Sequence, residues 1–166
     1  MNDFVEQLIK RKDRLGDKAL FALLVALAIV FFVLGLITTI GPLLWFGTMI
    51  FGMIAYYVKL RSYVEYEYTY IDKELSIDKV YNKARRKKGV KLDLNTMEIC
   101  ALFTSHELDS YKNRGGKTID YSSGEISQPE TRYMIVAEGG QKYVIEPNEE
   151  LLTCLKNVSP RKFFNY

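Results

Sequence analysis

The stretch VEYEYTYI, Val64–Ile71, changes the rhythm of the chain. Val64, Tyr66, Tyr68 and Tyr70 alternate with Glu65, Glu67 and Thr69, the period of two expected for a strand with one apolar face. Asp72–Glu74 then supplies a turn, and LSIDKVY alternates again through Leu75, Ile77, Val80 and Tyr81. Alternating tyrosines can stack on nucleic-acid bases. The glutamates between them disfavour a polyanion, so the stripe reads as the covered inner face of a barrel.

Downstream, the strand pattern continues. ARRKKGVKLDL predicts a third strand, MEICALF (Met97–Phe103) a fourth and KTIDYSS a fifth. Between them TSHELDSYKN is polar, and Thr104 with Glu107 predicts a capped short helix. RYMIVAEGGQKYVIEP reads as a hairpin turning at Glu138–Gln141, where Gly139 and Gly140 permit the turn. PNEELLTCLKNV predicts a final helix that starts at Pro147 or Asn148, with acids in its first turn, Lys156 near its end and Leu151, Leu152 and Leu155 on its buried face. The sum is about seven strands and a C-terminal helix that caps an open barrel end.

Upstream, the period is absent. Ala19–Val58 is 40 residues without Asp, Glu, Lys, Arg, His, Asn or Gln, so all 23 Lys and Arg and all 20 Asp and Glu lie outside it. As helix it would reach roughly 60 Å, twice the ~30 Å of a bilayer core. TTIGP (Thr38–Pro42) divides it, with Gly41 and Pro42 suited to a turn and a new helix start. The reading is a transmembrane hairpin, Lys18–Ile40 and Pro42–Lys59. Ala22 and Ala26 on one helix and Thr48 and Gly52 on the other are the candidate packing residues. Trp45, Tyr56 and Tyr57 suit the membrane interface. A soluble buried hairpin would need an apolar partner surface that the remaining polar chain does not offer. A signal peptide would lack the second apolar run.

Lys10, Arg11, Lys12, Arg14 and Lys18 precede the spans, residues 59–88 hold nine Lys and Arg, and the turn between the spans holds none. Positive residues stay inside, so both termini are expected in the cytoplasm of a multi-pass protein of the cytoplasmic membrane. Cys100 and Cys154 are then free thiols in a reducing compartment. The first residues read as an amphipathic helix, capped by Asp3 with Glu6 three residues on and Phe4, Val5, Leu8 and Ile9 on one face. It would lie in the headgroup region or pack on the cytoplasmic domain. The expected organisation is a helix over 1–17, a hairpin over 18–60, a β domain over 61–160 and a tail over 161–166.

The order of elements from Tyr57 to Val158, with its early EYEYTYIDKELSI hairpin and basic third strand, resembles the pleckstrin-homology-like fold. It is similar to bacterial membrane proteins that place such a domain after a two-helix hairpin. VEYEYTYIDKELSIDKVYNKARRKK and SHELDSYKN resemble a family of small bacterial proteins known as a domain of unknown function, over nearly the whole chain. That resemblance implies the fold and brings no activity or ligand.

KARRKK concentrates charge in Lys83, Arg85, Arg86, Lys87 and Lys88. Three uses compete. The run protects an edge strand from aggregation. It meets anionic lipid or an acidic partner, at about 1 kcal/mol per residue near the leaflet. Or it binds nucleic acid, which is disfavoured because nine Lys and Arg face eleven Asp and Glu from Gly89 onward. In a strand, Arg85 and Lys87 face one way and Arg86 and Lys88 the other. His106 with Asp109 falls short of the three or four ligands of a zinc site. NRGGKT (Asn113–Thr118) lacks the first glycine of a P-loop. No cofactor or metal is expected. The leading expectation is a non-enzymatic, membrane-anchored binding or scaffold protein whose β domain contacts a protein partner or the anionic inner leaflet. The alternative is an accessory subunit of a transport or secretion complex acting through its hairpin, and a lesser one is a membrane enzyme using Cys100 or His106. Membrane lipids and a protein partner are the expected partners, and a homo-oligomer is compatible with either main reading.

Overall fold

The computed structural model describes residues 4–125 and 128–164. The chain forms two compact units, residues 13–64 and the remainder.

The first unit is a helical hairpin. Helix α1 runs Leu15–Ile37 and α2 runs Gly41–Ser62, 23 and 22 residues. At 1.5 Å per residue each reaches about 33 Å. Both are long and apolar enough to cross a membrane. Only Leu24 and Gly35 on α1 and Gly41 and Ala55 on α2 are buried, so the apolar surface faces outward, opposite to a soluble core helix. α1 ends before the predicted Ile40 because Thr38 caps it, its backbone N–H and its hydroxyl both donating to the Leu34 carbonyl. The helices approach closely beside the turn. A methyl group on Gly41 would collide with the Gly35 carbonyl oxygen, and one on Gly35 with the Trp45 indole. Further along, Phe31 and Phe51 meet with ring centroids 5.2 Å apart.

The second unit is mainly β. Strands β1 (Phe4–Lys10), β2 (Val64–Ile71), β3 (Glu74–Tyr81) and β4 (Arg85–Asp93) form one sheet in that order. Strands β5 (Ile99–Leu102), β6 (Thr118–Asp120), β7 (Tyr133–Val136), β8 (Lys142–Ile145) and β9 (Phe163–Phe164) form the other, in the order β6-β8-β7-β5-β9. A short α3 (Asp109–Lys112) lies in the β5–β6 connection, and α4 (Glu149–Val158) follows β8. Asn148 caps α4, its side-chain oxygen accepting from the Leu151 N–H at 2.9 Å. Leu151, Cys154 and Leu155 are the buried face, and Leu152 of the predicted set is only half-buried.

Several expectations are corrected. The N-terminal segment is strand β1, not a helix: Val5 pairs with Tyr70, Gln7 with Tyr68 and Ile9 with Tyr66. Val5 and Ile9 are buried, and Gln7 between them is bonded. The proposed Asp3 cap lies outside the described residues. The tail is not separate, because Phe163 and Phe164 pair in parallel with Cys100 and Ala101. The cap belongs to a 3-10 turn, His106–Leu108, that runs into α3, and it is Ser105, which accepts from the Glu107 N–H, in place of Thr104. The strands number nine among the described residues, and no ladder joins the two sheets into a closed barrel. Pro147 follows β8 and has no N–H to extend a ladder. Side chains bridge the opening. The Tyr68 hydroxyl donates to the Tyr121 carbonyl at 2.7 Å and accepts from the Glu146 N–H at 3.2 Å. Gln7 donates to the Glu146 carbonyl at 3.0 Å and accepts from the Asn148 N–H at 2.8 Å.

Candidate binding surface

The tyrosine stripe lies in the core. Tyr66, Tyr68 and Tyr70 are all buried, and Tyr66 meets Tyr121 edge-on at 5.4 Å. Tyr121 in turn stacks near Tyr143 at 6.3 Å. Burial raises the Tyr68 phenol above its usual range. The stripe therefore offers no open face for bases.

KARRKK wraps the β3–β4 turn. Asn82 and Lys83 both have positive φ, and the Ala84 N–H returns to the Tyr81 carbonyl at 3.1 Å. A two-residue turn of this kind follows the twist of its strands. Asp72 and Lys73, both at positive φ, connect β2 to β3 in the same way. Beyond the turn, Arg85 pairs with Tyr81, Arg86 with Val80 and Lys87 with Lys79. The register then slips, and the Gly89 N–H donates to the Asp78 carboxylate at 3.0 Å. A side chain at Gly89 would strike the Ile77 carbonyl oxygen, so the slip requires glycine there.

The five charges have different surroundings. Arg86 forms an ion pair with Glu67, a carboxylate only 5% exposed. Burial holds the Glu67 carboxyl above the usual range, the neighbouring Glu6 and Asp78 add to this, and Arg86 opposes it. Lys83 stands in the turn. Arg85, Lys87 and Lys88 are exposed and form no ion pair among the described residues. Lys87 sits directly opposite another cation, Lys79, whose ammonium lies 5.3 Å from the Tyr121 ring centre. Like charges placed opposite one another cost a sheet stability. The sequence reading missed Lys79, and only the strand register brings it to Lys87.

The turn has a defined place in its sheet. β1 enters the helical hairpin after Lys10, and β2 leaves it beside Glu65, the residue paired with Lys10. β2 runs away from that end, β3 returns to it, and the β3–β4 turn therefore stands at the end where the chain enters and leaves the helices.

The other singled-out residues are dispersed. His106 is fully exposed, with Nδ1 3.4 Å from Asp109. Asp109 sits below the usual carboxylate range through Lys112 and then His106. Cys100 is wholly buried, and desolvation pushes its thiol up to about 12. Cys154 is buried too. Lys142, unremarked in the sequence, is buried and donates to the carbonyls of Lys112 and Arg114 at 3.1 and 2.7 Å, which pins the α3 excursion. In the hairpin, Thr48 is half-buried, whereas Ala22, Ala26 and Gly52 are exposed. Nothing would meet a methyl on Gly52 within 4 Å. Close packing falls instead to Gly35, Gly41, Phe31 and Phe51.

Residues 1–165 match a family described as Bacterial PH-like domain (DUF6106). The chain belongs to that family. Its span takes in β1 as well as the helices, in keeping with a domain whose first strand precedes the hairpin. No curated protein and no solved structure matches the chain.

Proposed function

We propose that this PH-like protein is a non-enzymatic binding module anchored in the cytoplasmic membrane, with its β domain seated on the anionic inner leaflet and offered from there to a protein partner. One observation carries the reading: the β3–β4 turn, whose Arg85, Lys87 and Lys88 form no ion pair among the described residues, shares an end of its sheet with Lys10 and Glu65, where the chain passes to and from the helices. Only residues 11–14 separate β1 from α1, and only Tyr63 separates α2 from β2. At ~3.6 Å per residue such links keep the basic end within a short reach of the bilayer. Anionic lipid attracts each basic side chain near the surface by about 1 kcal/mol. Tethering gives even a weak partner contact a high effective concentration.

The test uses the full chain in nanodiscs, neutral or containing anionic lipid, with an environment-sensitive dye on Ala84→Cys. Cys100 and Cys154 are buried and leave labelling selective. Lipid-headgroup quenching of the dye is expected only with anionic lipid, falling with salt and lost in Arg85→Glu/Lys87→Glu/Lys88→Glu. Equal quenching in neutral discs, or none in either, rejects the leaflet seat.

A second reading assigns the work to the helices. It is favoured by Thr48, whose buried hydroxyl has no hydrogen-bond partner among the described residues and which lines an apolar groove of about 440 Å³ with Ala28, Gly52 and Ala55. Under it, Gly52→Leu disperses a membrane complex on native electrophoresis and leaves the leaflet assay unchanged.

A further inference from the structure

Outside the helical hairpin, the exposed large apolar residues among those described are Phe4, Leu8 and Ile71. They are 55%, 60% and 51% exposed, and all three share the outer face of β1 and β2. Phe4 is paired directly with Ile71, and Leu8 lies opposite Glu67. β1 is also the outer strand of its sheet, with β2 as its one neighbour among the described residues. The sheet's other edge, β4, carries Arg85, Arg86, Lys87, Lys88 and Lys91, the charged protection typical of an edge that must stay unpaired. Along Phe4–Ile9, β1 carries a single charged residue, Glu6, and no cation.

The charge on this face is specific. Glu6 stands between Phe4 and Leu8 on the same side, and its carboxylate lies beside that of Glu67. Glu67 keeps one buried oxygen, Oε2, without a hydrogen-bond partner among the described residues. Arg86 occupies the other oxygen. The face thus offers an apolar position, a cation-seeking position and a second apolar position, two residues apart along an open edge.

We infer that β1 is a strand-addition site for an extended segment of a protein partner, one with the outward pattern apolar, basic, apolar at alternate residues. Backbone bonds to the open edge provide the affinity, and the alternate side chains provide selectivity. The apolar residues cover Phe4 and Leu8, and the basic one meets exposed Glu6, with buried Glu67 behind it adding negative charge. An anionic leaflet fits poorly, because carboxylates interleave the apolar residues. A second copy also fits poorly: antiparallel self-pairing centred on Gln7 sets Phe4 against Lys10 and Leu8 against Glu6.

The inference stands apart from the leaflet seat, which uses the opposite edge of the sheet. Its test is a titration of the full chain in neutral nanodiscs with the fluorescent peptide GSVTKTVSG and its counterpart GSVTETVSG. The lysine peptide is expected to bind more tightly, by about fivefold, as opposite and like charges diverge across a strand pair. Hydrogen exchange at β1 amides slows when it binds. Glu6→Lys reverses the preference, and Phe4→Ser/Leu8→Ser abolishes binding while the thermal melt of the protein is retained. No binding at millimolar peptide, equal binding of the two peptides, or binding indifferent to these variants overturns the inference. So does concentration-dependent protection of β1 without peptide, which would assign the edge to a second copy.

Discussion

Glu67 shows how one side chain can set a domain's response to pH. Its carboxyl is held above the usual range by burial and by Glu6 and Asp78, against the pull of Arg86. A carboxyl raised by folding binds its proton more tightly in the native state. Its favourable contribution is complete below the unfolded value near 4.5 and disappears as pH rises through the folded value. Glu67→Gln keeps an acceptor for Arg86 and can donate to Glu6. It is expected to raise the melting temperature at pH 7 and to flatten the fall in stability above pH 4.5, as thermal melts across pH would reveal. Tyr68 carries the opposite expectation. Tyr68→Phe removes a bond to the Tyr121 carbonyl and leaves the Glu146 N–H without its acceptor. A loss of about 1–3 kcal/mol follows from an unmet buried group, measurable by denaturant titration in micelles. Neither role was legible in the sequence beyond the alternation that put Tyr68 on the inner face, because Tyr121 and Glu146 are distant in the chain.

At the scale of elements, local patterns were readable and distant pairings were not. The turn at Thr38–Pro42, the Gly139–Gly140 hairpin and the Asn148 cap each depend on neighbouring residues, and each formed where its chemistry required. β1 depends on a partner beyond both helices. Phe4, Val5, Leu8 and Ile9 satisfy a helical face as well as two strand faces, and only pairing with Tyr66–Tyr70 selects the strand. Ala22, Ala26 and Gly52 are small but stay exposed, while Gly35 and Gly41 make the close approach, and small size alone does not reveal which. The place of β1 gives a firm expectation. Val5 and Ile9 are buried, worth about 1.5–3 kcal/mol each, a large share of the ~5–15 kcal/mol that holds a domain together. Residues 62–166 alone should therefore be unstable. Replacing residues 11–64 with Asn-Gly joins Lys10 to Glu65 through a two-residue hairpin turn. That protein should be soluble and show cooperative unfolding by circular dichroism. A cooperative melt of equal midpoint from residues 62–166 would mean β1 is dispensable.

On the scale of the whole molecule, the chain is one hairpin nested in another: β1 leads to α1, α2 leads back to β2, and the two strands pair from Phe4–Ile71 to Lys10–Glu65. Strands in one sheet must lie on one side of a membrane. Between Lys10 and Glu65 the chain therefore crosses an even number of times, and on the proposed reading its two apolar helices supply two crossings. On the same reading the basic flanks are expected to hold that side in the cytoplasm. Single cysteines introduced at Thr39, in the turn between the helices, and at Asp72, at the exposed β2–β3 turn, test this in intact cells. A membrane-impermeant thiol reagent should label Thr39→Cys from outside and label Asp72→Cys only after permeabilisation. The buried native thiols keep the background low. Labelling of Asp72→Cys from outside, with Thr39→Cys labelled only after permeabilisation, would place the sheet on the other face of the membrane and remove the anionic leaflet as its seat. Labelling of both only after permeabilisation would mean that the helices do not span, and that the hairpin's apolar surface is covered by another protein instead of lipid.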